Sequence, residues 1–145
     1  MITRILLAIS VLLTALPLRA VERYLTIEAV PTAQPGQNYR ATIKAGTDAG
    51  GGEQIGMFQV DISLDDGKTW TGARYLDGLG ASTTQGIDIP IGPTTSPVRL
   101  RVRVAFRGGK AGDVDYRGAA IRWQESWANW EEPPAKSVVV QVKAP

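Results

Sequence analysis

The side chains that most enzymes recruit for nucleophilic or metal chemistry are missing here: none of the 145 residues is a histidine or a cysteine. A Ser-His-Asp triad, a Cys-His dyad and a histidine-held metal are therefore excluded within the chain itself. Carboxylate chemistry remains, for which Asp113, Asp115, Glu125, Glu131 and Glu132 are the clustered acids. Asp113 and Asp115 would share one side of an extended segment, with Gly112 leaving room for a turn, an arrangement that could hold calcium. Pairing of these acids with Arg107, Arg117 or Lys110 is the simpler reading. Gly50-Gly51-Gly52 runs into Glu53-Gln54 without the Lys-Ser/Thr of a phosphate loop. The expectation is a chain that is not an enzyme and uses no cofactor or metal.

Two other groups suit contact better than catalysis. Arg99, Arg101 and Arg103 recur at every second position, which on a strand sets them about 6 to 7 Å apart along one face. That row could grip a polyanion or an acidic partner. It could equally form a cross-strand ladder with Gln59, Asp61 and Ser63, each opposite-charge pair contributing roughly 0.2 to 1 kcal/mol, and the ladder is the preferred reading. Trp123, Trp127 and Trp130 are spaced i, i+4, i+7, so a short helix would present all three on one side. Exposed, they would stack on the sugar rings of a polysaccharide, with Gln124, Glu125 or Asn129 meeting hydroxyls. Buried, they would cap an open end of a core or line a protein interface, and packing is the more usual fate of such a stripe.

The elements that must position these residues read as strands. Phe58, Val60, Ile62 and Leu64 alternate with Met57, Gln59, Asp61 and Ser63, as in a strand buried on one face. Leu25, Ile27 and Ala29 alternate within 22–30, and Tyr39, Ala41, Ile43 and Ala45 within 38–45. Further strands follow at 72–76, at 83–91 with Ile87, Ile89 and Ile91, at 98–107 with Val98, Leu100, Val102, Val104 and Phe106, and at 136–143 with Val138, Val140 and Val142. Pro31 to Gly36 ends the first strand, and Gly46 to Glu53 is expected to be a mobile loop because glycine loses most backbone freedom on ordering. Seven or eight short strands without a long amphipathic helix predict an all-β, two-sheet antiparallel sandwich of immunoglobulin or fibronectin-III type. With no cysteine pair, its core is expected to rest on Trp70 and the aliphatic faces.

Between two of these strands, Ser63-Leu64-Asp65-Asp66-Gly67-Lys68-Thr69-Trp70 matches the pattern S-x-D-x-G-x-T-W. It resembles the Asp-box hairpin of sialidases and other β-propellers, and the similar hairpin in the immunoglobulin-like C-terminal domain of sulfite-oxidase-type molybdenum enzymes. The resemblance implies that the Ser63 and Asp65 side chains bond turn amides while Trp70 packs over a turn completed by Gly67. It is a folding device in both families and implies no activity. A propeller would repeat the box at a fixed period, and one copy is present.

Residues 1–20 read as a secretory signal. Arg4 gives a positive start, and Ile5 to Leu16 is an uncharged apolar run too short for the roughly 20 residues of a membrane span. A β-sandwich over 21–145, without disulfides, fits a bacterial periplasm or the cell exterior. Arg4 and Arg19 are two of the 16 basic residues, and none of the 14 acidic ones lies in 1–20. The remainder is formally neutral, which argues against a nucleic-acid partner. The expected function is a non-catalytic exported module that contacts another protein or itself, or serves a larger envelope assembly; the alternative is a carbohydrate-binding module built on the three late tryptophans.

Overall fold

The computed structural model describes residues 19–107 and 136–145. These contain eight strands: β1 (Arg23–Glu28), β2 (Thr32–Ala33), β3 (Asn38–Thr47), β4 (Gln54–Ser63), β5 (Thr71–Leu76), β6 (Ser82–Pro90), β7 (Val98–Arg107) and β8 (Lys136–Val142). They make a three-stranded sheet in the order β1-β3-β6 and a five-stranded sheet in the order β2-β8-β7-β4-β5. All neighbours run antiparallel except β2 and β8, which are parallel. This is an immunoglobulin-like sandwich. β3 and β6 take the B and E positions opposite β4 and β7 at C and F, and β5 joins the sheet of β4 as C′ does in variable-type domains.

The core follows from alternation. Tyr39, Ala41, Ile43 and Ala45 of β3 and Ile87 and Ile89 of β6 meet Phe58 and Val60 of β4, Val98 to Phe106 at even positions of β7, and Val140 and Val142 of β8. At β4 an extra residue enters the pairing, since Ile55 faces Phe106 while Met57 faces Ala105. That bulge lets Ile55 and Phe58, three apart in sequence, both reach the core.

Five expectations need correction. Leu64 is not on the inner face: it lies beyond the end of β4 at 46% exposure, where the chain has already turned. The other face of β4 is not a solvent face, because Met57, Asp61 and Ser63 are buried along with Phe58 and Val60. The Pro31 to Gly36 segment does more than end a strand, for Thr32 and Ala33 form β2 against Gln141 and Val142. Trp70 is outside the core, whose members among the described residues are aliphatic apart from Tyr39, Phe58 and Phe106. Finally, the Gly46 to Glu53 loop is fastened. Glu53 accepts from Arg23 Nε and Nη2 at 2.7 Å each and from Thr47 Oγ1 at 2.6 Å, while Asp48 Oδ1 accepts from the Glu22 amide at 2.7 Å. The glycines Gly50, Gly51 and Gly52 take positive φ between these anchors.

Candidate functional site

The hairpin after β4 is built from its side chains inward. Asp66 (φ 61°) and Gly67 (φ 87°) both take left-handed backbone, the φ values of a type I′ turn, whose twist suits a hairpin. Ser63 Oγ accepts the Gly67 amide at 2.8 Å and the Asp65 amide at 3.4 Å, and donates to Asp65 Oδ1 at 2.7 Å. Asp65 in turn accepts the Thr69 amide at 2.8 Å and the Thr69 hydroxyl at 2.6 Å. These donors, the Thr69 hydroxyl foremost, then the Thr69 amide and Ser63, lower the Asp65 carboxyl from 3.8 to about 2. A carboxylate so fully engaged and so firmly ionised is a poor general acid or base at neutral pH.

The turn is also fastened to the start of β7. The Asp66 amide donates to Pro97 O at 3.0 Å, and Arg99 Nε donates to Asp66 Oδ1 at 2.8 Å. Further along, Arg101 faces Asp61 across the β4–β7 ladder and donates to its Oδ2 from Nε at 3.0 Å and Nη2 at 2.9 Å. The same guanidinium lies 4.1 Å from the centroid of the Trp70 ring, a cation–π contact. Arg101 is thus held between a mostly buried carboxylate on β4 and the indole that follows the turn.

These contacts wall a groove of about 230 Å³ on the outer face of the five-stranded sheet, lined by Trp70, Arg99, Arg101 and the β8 residues from Lys136 to Val139. Ser137 pairs with Arg101 and Val139 with Arg99 across β7 and β8, so one row of side chains crosses from the turn to β8. Val139 is exposed. Arg99 spends Nε on Asp66, and among the described residues neither of its terminal nitrogens has a protein partner. The site offers an aromatic wall, an aliphatic wall and a half-used guanidinium.

The arginine row divides by position. Arg101 is in the expected ladder; Arg99 leaves its opposite number, Ser63, for the turn carboxylate of Asp66; Arg103 lies opposite Gln59 and is buried. Trp123, Trp127, Trp130, Asp113 and Asp115 lie outside the described residues, as do 1–18. Reasoning from sequence missed the β8 wall. Ser137 and Val139 are ordinary strand residues whose place depends on pairing with a strand some forty positions earlier, and no local pattern announces it.

No protein-family model matches the chain, and no curated protein matches it. Among solved structures it is similar to a chain of the complex formed between Zinc 2-glycoprotein (ZAG) and Prolactin inducible protein (PIP) from human seminal plasma. The identity is 12%, the TM-score 0.45, and the likeness covers 85% of this chain and 93% of that one. A resemblance at that level carries nothing about function.

Proposed function

We propose that the chain is a non-catalytic exported module that works by presenting its sandwich to another protein, either a second copy or a component of a larger envelope assembly. The observation that carries this reading is the composition of the outer-face groove. Tryptophan and arginine are the residues that most often anchor protein interfaces, and here Trp70, Arg99 and Arg101 converge beside exposed Val139. The Ser63–Asp65–Thr69 cluster supports the same reading, because its acid is consumed in building the turn. In this reading the hairpin is an Asp-box used as a scaffold, comparable to that of the sulfite-oxidase-type domains, and residues 1–20 direct export to the periplasm or beyond.

A photo-activatable amino acid at Ser137, beside the groove, and at Thr26, exposed on the other sheet, tests the proposal in intact cells. Discrete protein adducts from Ser137 that diminish with Trp70→Ala, and none from Thr26, are the expected result. A chain that gives no protein adduct from either position and stays monomeric at high concentration would overturn it.

A further inference from the structure

Among the described residues β8 is paired along five of its seven residues on one side and only at its C-terminal end on the other. β7 accompanies it from Lys136 to Val140, whereas β2 reaches it only at Gln141 and Val142. On that second side the Gln141 amide donates to Pro31 O and the Lys143 amide to Ala33 O, both at 2.9 Å. Alternate residues of a strand direct their N–H and C=O groups to the same side. Ser137 and Val139 therefore aim both backbone groups at the side β2 leaves open, and among the described residues nothing bonds them there.

The reason β2 stops is chemical. Proline has no N–H, so Pro31 cannot extend the ladder backward along β8. One residue earlier, the carbonyl of Val30 is taken by the Tyr39 hydroxyl at 2.6 Å, and the chain crosses to β1 in the other sheet. The opposite flank of the sandwich is handled differently. There Arg74 of β5 reaches across to Gln85 Oε1 at 3.3 Å and to the Gly86 carbonyl at 3.5 Å on β6, tying two edges together.

We infer that the open stretch of β8 from Lys136 to Val140 receives an extended, acidic segment of a partner protein as an added strand. This rests on the contact function proposed above and names its geometry. An added strand would bond the Ser137 and Val139 backbones, and its outward side chains would lie along the groove beside those two residues. Charge selects the partner. Among the described residues Arg99 has unspent donors toward the groove and exposed Lys136 has no carboxylate partner, while Val139 supplies apolar contact between them. A second copy placed edge to edge would bring two sets of these cations together, whereas alternating acidic and apolar side chains match them. Lys136 at the mouth of the edge also discourages pairing with strands that lack acids.

The test uses the full chain, isotopically labelled, and two capped synthetic peptides of alternating Glu-Val and Lys-Val sequence. The Glu-Val peptide should slow amide exchange at Ser137 and Val139 by about tenfold or more, while the Lys-Val peptide leaves them unchanged. Val139→Pro deletes a free-edge amide without touching a bond to β7, a place where a strand tolerates proline; it should abolish the effect while β3 and β4 amides stay protected. Should that variant not fold, the wild-type exchange pattern with the two peptides decides alone. Unaltered exchange at Ser137 and Val139, protection at β5 or β6 instead, binding that survives Val139→Pro in a folded protein, or protection that rises with protein concentration without peptide would each overturn the inference. Protein adducts from Ser137 combined with unaltered exchange would remove the added strand and leave the contact function standing; absence of both would remove the two together.

Discussion

Asp65 shows how a half-exposed carboxyl can be committed to structure. Its two oxygens take the Thr69 amide, the Thr69 hydroxyl and the Ser63 hydroxyl, and the charged form is favoured by every one of them. Because the folded value of about 2 is below the ordinary 3.8, the stabilisation is present above pH 3.8 and is lost as the pH falls toward 2. Thr69→Val keeps the amide donor and deletes the hydroxyl, the largest single cause. The Asp65 carboxyl should then titrate above its parent value of about 2, read directly from its carbon resonance by NMR. An unmoved titration would show that the hydroxyl is not what holds the charge. Arg101 makes the complementary point nearby: a strand-borne cation can be fixed by a carboxylate on one side and an indole on the other, while among the described residues its neighbour Arg99 keeps donors to spare.

At the scale of the strand, period-two patterning was readable wherever one face meets the core and the other meets water. β3, β6 and β7 lie close to where their alternation put them. The pattern failed where its premise failed. β4 is flanked by β7 and β5 and buried on both faces, its bulge at Ile55–Met57 shifts the phase, and Leu64 continues the alternation after the strand has ended. β2 was invisible because two residues carry no period, and it exists through pairing with β8, more than a hundred positions away. The groove was hidden for the same reason: Trp70, Arg99 and Arg101 were each conspicuous, but only sheet order brings them to Ser137 and Val139. Tyr39 is the hinge of this region, since its hydroxyl holds Val30 where the chain changes sheets. Tyr39→Phe should lower stability by about 0.5 to 1.5 kcal/mol and speed exchange of the Gln141 amide more than that of β3 amides. Burial also raises the phenol above its ordinary 10, so this contribution is complete below pH 10 and is lost as the pH rises through the raised value. Equal urea midpoints for the two proteins would sink the assignment.

Across the whole molecule, ion pairs differ more by burial than by number. Arg40–Asp88, Lys44–Glu28 and Arg19–Asp48 join exposed or half-exposed groups on the surface, where each is worth about 1 kcal/mol or less and is screened by salt. Arg23–Glu53 is different in kind. It is bidentate, its side chains are 23% and 12% exposed, and it links β1 to the loop that joins β3 to β4 and so passes from one sheet to the other. Its bond to Arg23 is the main reason the Glu53 carboxyl lies below the ordinary 4.5, with Thr47 adding to it against the opposing effect of burial. The stability it provides is therefore complete above pH 4.5 and fades as the pH falls through the lowered value. Glu53→Gln, which keeps the shape and deletes the charge, should be less stable than the parent at pH 7, and the difference should be smaller at pH 3, because below pH 4.5 the unfolded parent takes up a proton at Glu53 that the folded one resists. Urea midpoints of the two proteins at both pH values read this out, and a gap that is as wide at pH 3 as at pH 7 would mean that packing, and not the carboxylate, is what Glu53 contributes to joining the sheets.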